Sequence, residues 1–148
     1  MVLSLRAATE IRALAEVVFA VLSAPERLPE WNSSVESARR AAPDEAVGLG
    51  SRAVMNGRML GQVLESETEV VAFDPPNLFA TRAIRGPKLN TRFELDTLSE
   101  CTRVRLDVSG EVPGGRLGEM LAEGFLRREL SASLDRLKTV CEAAQLGR

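Results

Sequence analysis

The stretch GQVLESETEVVAFDPPNLFATR, residues 61–82, decides the fold class because it holds the clearest strand of the chain and the turn that ends it. Three glutamates from Glu65 to Glu69 occupy alternate positions, and a period of two predicts a strand with two different faces. The opposite face carries Leu64, Ser66, Thr68 and Val70. The run DPPN, residues 74–77, predicts a tight turn into a second strand, so we expect two antiparallel neighbours.

Outward from this stretch, alternating residues and turn residues predict six consecutive strands. Their predicted bounds are Val35–Ala41, Gly50–Met59, Gly61–Phe73, Leu78–Arg85, Leu89–Leu98 and Thr102–Val112. Glycine, proline, asparagine and aspartate lie between most of them, and connections this short favour an antiparallel meander over a parallel sheet. Residues 3–12 also alternate and predict one further strand at the N-terminus. The run Pro113-Gly114-Gly115 predicts the end of the sheet.

Helical periodicity predicts two short helices after the first strand and one long helix at the C-terminus. The first lies around residues 17–22 and ends near Pro25, and the second covers residues 25–31. From Arg116, apolar residues recur every three or four positions over about 29 residues, or roughly 43 Å of helix. A helix of this length laid along an antiparallel sheet gives an α+β fold, which can enclose a cavity as well as a core.

Length and charge restrict the classes of function. The 148 residues predict a single domain, residues 1–148, and the net charge of −2 argues against nucleic acid or an anionic membrane as a partner. Arg6, Glu10 and Arg12 interrupt the apolar residues near the N-terminus, which predicts neither a signal peptide nor a membrane-spanning segment. We therefore expect a soluble cytoplasmic protein without stable membrane insertion, and a weak homodimer stays open.

The chain contains no histidine and no tyrosine, which removes common proton-transfer groups from any site. Cys101 and Cys141 stand without a CxxC motif or a histidine partner, so the sequence predicts no metal site and no cofactor. In a reducing cytoplasm both cysteines are expected to be free thiols, although a disulfide between them stays open.

Four segments, in this order and spacing, carry a resemblance to a known family. They are VVFAVLSAPERLPEWNSSV (17–35), VGLGSRAVMNGRM (47–59), EVVAFDPPNLFATR (69–82) and RRELSASLDRLKTVCEA (127–143). Together they resemble the polyketide cyclase/dehydrase and lipid-transport family, within the superfamily of StAR-related lipid-transfer and birch-pollen-allergen-like proteins. The resemblance implies a helix-grip fold, in which a seven-stranded antiparallel sheet wraps around the long C-terminal helix. It also implies a hydrophobic pocket between sheet and helix.

Strand alternation and the helical stripe select candidate ligand-binding residues on the inner faces, and Trp31 is added as the only tryptophan, placed after a proline-bounded turn. The candidates are Trp31, Ala53, Met55, Leu64, Ser66, Phe79, Thr81, Phe93, Met120, Gly124 and Phe125. Ser66 and Thr81 would be the polar anchors, and the glycine at 124 would leave room for a ligand beside the helix. The alternative is that these residues simply fill the core.

Two residues near the predicted pocket mouth have alternative interpretations. Trp31, the only tryptophan, would be either a lid over the pocket or an anchor that fixes the short helices to the sheet. Arg58, beside a predicted hairpin turn, would either reach an anionic head group at the rim or remain an exposed hairpin arginine.

We expect the protein to bind or transport a hydrophobic small molecule, such as a lipid, an isoprenoid or quinone, or a polyketide-like compound, without a cofactor and with no catalytic residue. One alternative is a cyclase or dehydratase that uses a carboxylate or a water for proton transfer. For the aromatic-cyclase branch, the resemblance implies a pocket rich in aromatic residues, with arginine and tyrosine presented to the ketone chain. This chain departs from that pattern, since it has no tyrosine and no tryptophan near residues 62–68. A second alternative is a protein-interaction adaptor with a filled core.

Overall fold

The computed structural model describes residues 2–59, 61–111 and 115–148. The elements are β1 (Val2–Ile11), α1 (Ala15–Ser23), a 3₁₀ turn (Pro25–Arg27), α2 (Leu28–Trp31), β2 (Val35–Arg40), β3 (Arg52–Met59), β4 (Gln62–Asp74), β5 (Leu78–Arg85), β6 (Leu89–Thr97), β7 (Thr102–Glu111) and α3 (Gly115–Leu146). The predicted strand bounds agree with these within two residues. The predicted strand end at Val112 and the run at residues 113–114 lie outside the described residues.

The seven strands form one antiparallel sheet in the order β1-β7-β6-β5-β4-β3-β2. Strands β2 to β7 follow one another as a meander, as predicted, and β1 pairs with β7 from Val2↔Glu111 to Ile11↔Thr102. The predicted turn at residues 74–77 closes where the Asn77 backbone N–H donates to the Asp74 carbonyl over 2.8 Å. The predicted helix-grip architecture is therefore confirmed.

The convex face of the sheet carries charged side chains, and these show which residues of β4 must lie on the concave, inner face. The three glutamates of β4 pair with arginines of the neighbouring strands, as in Arg52–Glu69 at 3.6 Å and Arg82–Glu69 at 3.3 Å, and Arg85 contacts Glu65 and Glu67. Such exposed pairs contribute little stability. Side chains alternate between the two faces along a strand. Because the glutamates of β4 point to the convex side, residues 64, 66, 68 and 70 point to the concave side.

The C-terminal half of α3 packs on β1, α1 and the neighbouring inner strands. Leu137 and Cys141 are fully buried in a cluster that also holds Ile11, Val18 and Val104. Polar contacts fix the same half of the helix to the segment from Glu10 to Leu14. Lys138 Nζ donates to the Glu10 carbonyl (3.0 Å), Glu142 accepts from the Arg12 backbone N–H (3.0 Å), and Gln145 accepts from the Leu14 backbone N–H (2.9 Å).

The two cysteines are free thiols, as predicted, and their environments differ. Cys141 is fully buried, and loss of solvation raises the pKa of its thiol to about 12, whereas Cys101 is half-buried. A thiol whose pKa is raised by folding stays protonated in the native state while it ionises in the unfolded state. Its contribution to stability is therefore present below about pH 9 and decreases as the pH rises toward 12.

We expect a thiol reagent to label one cysteine, Cys101, in the native protein and both cysteines in urea, because the reactive thiolate of Cys141 is neither formed nor accessible. Peptide mass spectrometry after a timed iodoacetamide pulse at pH 8 would identify the labelled residue. A Cys101→Ser variant provides the control and should remain unlabelled until it unfolds. Labelling of native Cys141 at the rate of Cys101 would contradict the buried placement.

Candidate functional site

A cavity of about 250 Å³ lies between the concave face of the sheet, the α1–α2 segment and the middle of α3. Its wall is mainly apolar and includes leucine, valine, phenylalanine and methionine side chains from all of these elements. An engineered apolar cavity of about 150 Å³ is enough to bind benzene. The space in this protein therefore exceeds what one aromatic ring needs.

Eight of the eleven candidate residues line this cavity. They are Trp31, Ala53, Met55, Leu64, Ser66, Phe79, Thr81 and Phe93. The seven strand residues among them take inward positions, and the sheet register brings them together: Met55 lies opposite Ser66, and Phe79 lies opposite Phe93. Whether any of them contacts a ligand remains a prediction.

The other three candidates, Met120, Gly124 and Phe125, do not line the cavity. Met120 is 70% exposed, which places its side chain in solvent. From α3 the wall instead receives Leu126, Glu129, Leu130 and Ser133.

The three candidates that miss the cavity lie on a different side of α3 from the residues that line it. At 100° per residue, positions 126, 130 and 133 fall within about 40° of the fully buried Leu137, while 120, 124 and 125 fall about 100° or more away. Extending the stripe backward from Leu137 in steps of four and seven would have found the lining residues from the sequence.

Gly124 has no packing reason to be glycine. A Cβ built there meets only the end of the Arg128 side chain, whose Nη1 lies 3.8 Å away. Since glycine inside a helix costs about 1 kcal/mol relative to alanine, we expect Gly124→Ala to raise the free energy of unfolding by about 0.5–1 kcal/mol. Urea denaturation followed by circular dichroism measures this change. A destabilised variant would show that the space beside residue 124 is needed.

Trp31 is part of the wall and of the core together. Its side chain is 3% exposed and meets Phe93 edge-on, with ring centroids 5.9 Å apart at 84°. This placement fits an anchor better than a mobile lid. The indole N–H is buried, and it has no hydrogen-bond acceptor among the described residues, so packing rather than hydrogen bonding holds the ring in place.

Neutral hydroxyl groups interrupt the apolar wall on β4, β5 and β6. The Oγ1 atoms of Thr81 and Thr91 lie 2.8 Å apart across the β5–β6 pair, and either can be the donor. Ser66 and Thr68 on β4 add two further hydroxyls to the lining. These groups can donate or accept hydrogen bonds without carrying charge.

The described lining also contains three arginines, and each is paired with a glutamate. The shortest N–O distances are 2.6 Å for Arg40–Glu26, 3.6 Å for Arg52–Glu69 and 2.7 Å for Arg58–Glu36. Their side chains are 33%, 54% and 61% exposed, so all three charges lie next to solvent, and the Arg52–Glu69 pair belongs to the convex face of the sheet. Arg58 is thus a largely exposed hairpin arginine that also borders the cavity.

Of the carboxylates that the structure describes, only that of Glu129 belongs to the cavity lining. Its Oε2 accepts hydrogen bonds from the hydroxyls of Ser33 (2.5 Å) and Ser34 (2.7 Å), which precede β2. The contact ties the middle of α3 to the segment after α2. The sequence did not reveal this contact, because the two serines lie about 95 residues away from Glu129 in the chain.

Metal-binding clusters and membrane-spanning helices are both absent among the described residues. Within residues 2–59, 61–111 and 115–148, no group of three or more Cys, Asp or Glu side chains is arranged to hold a metal ion. No helix in the part of the chain that the structure describes is both long enough and apolar enough to cross a membrane.

The sheet that grips a long helix and the apolar cavity between them define a helix-grip protein. The chain belongs to the polyketide cyclase/dehydrase and lipid transport family, whose model matches residues 3–142. The predicted family is therefore confirmed. No functionally curated protein matches the sequence.

Solved structures with the same fold come from several classes of protein. A START superfamily protein from Mycobacterium smegmatis is 21% identical, with a TM-score of 0.82 over 95% of this chain and 98% of that chain. The ZhuI aromatase/cyclase from Streptomyces sp. R1128 is 15% identical, with a TM-score of 0.80 over 96% and 94%. Major latex-like protein 151 from Panax ginseng is 16% identical, with a TM-score of 0.64 over 88% and 96%. At these identities the likeness shows the fold alone.

Proposed function

We propose that the protein binds a hydrophobic small molecule in the internal cavity and acts as a soluble, cytoplasmic carrier or receptor for it. The observation that carries this proposal is the cavity of about 250 Å³ with a largely apolar wall. Sites for small molecules are typically concave, mostly apolar and supplied with a few polar groups that orient the ligand. The hydroxyls on β4, β5 and β6 supply such groups.

The cavity argues against an adaptor with a filled core. Protein interiors are close-packed, and voids larger than a water molecule are few. A space of about 250 Å³ with a mainly apolar wall is more than a filled core leaves, and covering that wall with an apolar ligand instead of water is favourable. The family membership supports the same proposal, since its description includes lipid transport.

Glu129 is the observation that favours a second candidate function, cyclisation or dehydration of a ketone-bearing substrate. Its carboxylate lies in the cavity lining and has two serine hydroxyl partners, so it could accept a proton from a bound substrate. The fold is shared with an aromatase/cyclase. If the protein is such an enzyme, Glu129→Gln should abolish turnover of a model polyketone while leaving its binding intact; unchanged turnover would exclude this role.

The test of the binding function starts with the recombinant protein. Native mass spectrometry, followed by organic extraction, would reveal a co-purified hydrophobic molecule and its class. The protein is then titrated with N-phenyl-1-naphthylamine, an uncharged dye that becomes fluorescent in apolar surroundings. We expect saturable binding of one dye per chain with a dissociation constant in the micromolar range. The absence of both a co-purified molecule and dye binding would overturn the proposal.

A further inference from the structure

The charged groups and the neutral polar groups of the cavity lining lie in different places. The charged groups of the three lining arginines lie next to solvent, that of Arg52 on the convex face, and all three are already paired with glutamates. The Thr81–Thr91 pair instead lies partly buried on the wall, one inward position from the buried Phe79 and Phe93. The polar surface offered to a ligand on this part of the wall is therefore uncharged.

We propose that the cavity selects an uncharged ligand that carries a hydroxyl or carbonyl oxygen, and that the Thr81–Thr91 hydroxyl pair binds this oxygen. The inference rests on the proposed binding function and specifies the chemistry of its ligand. Alcohols, phenols, ketones and quinones on an apolar ring or isoprenoid skeleton belong to this class. Ionised fatty acids and anionic head groups do not.

The hydrogen-bonding capacity of the threonine pair matches one ligand oxygen. Each hydroxyl has one proton and two acceptor lone pairs. The 2.8 Å contact between the two Oγ1 atoms uses one of the two protons. The other proton remains to be donated to a ligand oxygen, and free lone pairs remain to accept from a ligand hydroxyl. Ser66 and Thr68, on the adjacent strand β4, extend this band of hydroxyls.

A carboxylate that left water for the threonine pair would not be stabilised in the same way. An ionised group that leaves water needs a charged partner or several hydrogen bonds, and its burial is otherwise costly. Arg40, Arg52 and Arg58 would have to leave their glutamates to provide such a partner. The carboxylate of Glu129 in the lining would repel an anion as well.

Three naphthalene derivatives of similar shape test the proposal: 2-acetylnaphthalene with a ketone, 2-ethylnaphthalene without oxygen and 2-naphthoate with a carboxylate. Equilibrium dialysis at pH 7.5 measures their affinities for the full chain. We expect the ketone to bind about three- to tenfold more tightly than the hydrocarbon, the effect of one added hydrogen bond. We expect naphthoate to bind at least about tenfold more weakly than the ketone.

The double variant Thr81→Val/Thr91→Val removes both hydroxyls and keeps a similar shape. It should lower the affinity for the ketone to that of the hydrocarbon and leave the affinity for the hydrocarbon equal or higher. Thr97→Val is the matched control, because Thr97 is exposed on β6 and lies outside the cavity lining. It should change neither the affinity for the ketone nor the affinity for the hydrocarbon. Circular dichroism confirms that each variant is folded.

The outcomes separate this inference from the function on which it rests. Preference for the ketone that disappears in the double variant supports the inference. Equal binding of all three compounds, tighter binding of naphthoate, or a preference that survives the double variant would overturn it while the binding function stands. If none of the three compounds and no dye binds, both proposals fail.

Discussion

Replacing Trp31 by alanine is expected to lower the free energy of unfolding by about 3–5 kcal/mol, the largest stability effect that we expect from a single cavity-lining side chain. The indole is 3% exposed, and its contact with Phe93 adds an edge-to-face aromatic interaction. Alanine would leave a space that joins the existing cavity, so the surrounding residues could not close it without moving the α1–α2 segment.

Urea denaturation followed by circular dichroism measures this effect, since the variant has no tryptophan fluorescence. Trp31→Phe is the matched control, because it keeps a ring against Phe93 and loses an indole N–H that has no acceptor among the described residues. We expect Trp31→Phe to lower the free energy of unfolding by less than half as much as Trp31→Ala does. A loss of under about 1 kcal/mol in Trp31→Ala would favour the interpretation of Trp31 as a mobile lid.

Replacing Ala53 by phenylalanine is expected to reduce binding of N-phenyl-1-naphthylamine by more than about tenfold. Ala53 is 8% exposed, and its side chain faces the cavity from β3, opposite Thr68 on β4. A phenyl ring at this position would occupy much of the space that the ligand needs. Because the ring fills a void, stability should change by no more than about 1 kcal/mol.

Fluorescence titration of the dye measures the loss of affinity, and a denaturation curve checks stability. Val54→Phe adds a ring at the next position of the same strand, outside the cavity lining, and should leave dye binding unchanged. Unaltered binding by Ala53→Phe would mean that the dye occupies another site. Equal losses in both variants would mean that strand β3 itself had been disturbed.

The strands and their inward faces were predictable because each depends on neighbours in the sequence. In β4 the alternation of Glu65, Glu67 and Glu69 with smaller and apolar residues reports which side faces water, and turn residues mark where the chain reverses. That is why seven of the candidate residues on the strands line the cavity.

The contribution of α3 was predicted less well because its first half carries apolar residues on more than one side. Met120 and Phe125 are as apolar as Leu126 and Leu130, so composition does not choose between them. Packing of Leu137 and Cys141 on the sheet sets the rotation of the helix, and this rotation then decides that Leu126 faces the cavity while Met120 faces solvent.

The sequence by itself determined the α+β class, the order of the elements and the inner faces of β3 to β6, because these follow from short-range periodicity and local turn chemistry. The family was predicted from the resemblance of four segments. Only the tertiary structure decided the size of the cavity, the pairing of Thr81 with Thr91, the pairing of the lining arginines with glutamates and the contact of Glu129 with Ser33 and Ser34. Each of these depends on distances between side chains on different elements. Such distances are set by how the sheet curves around α3, which no local pattern in the chain encodes.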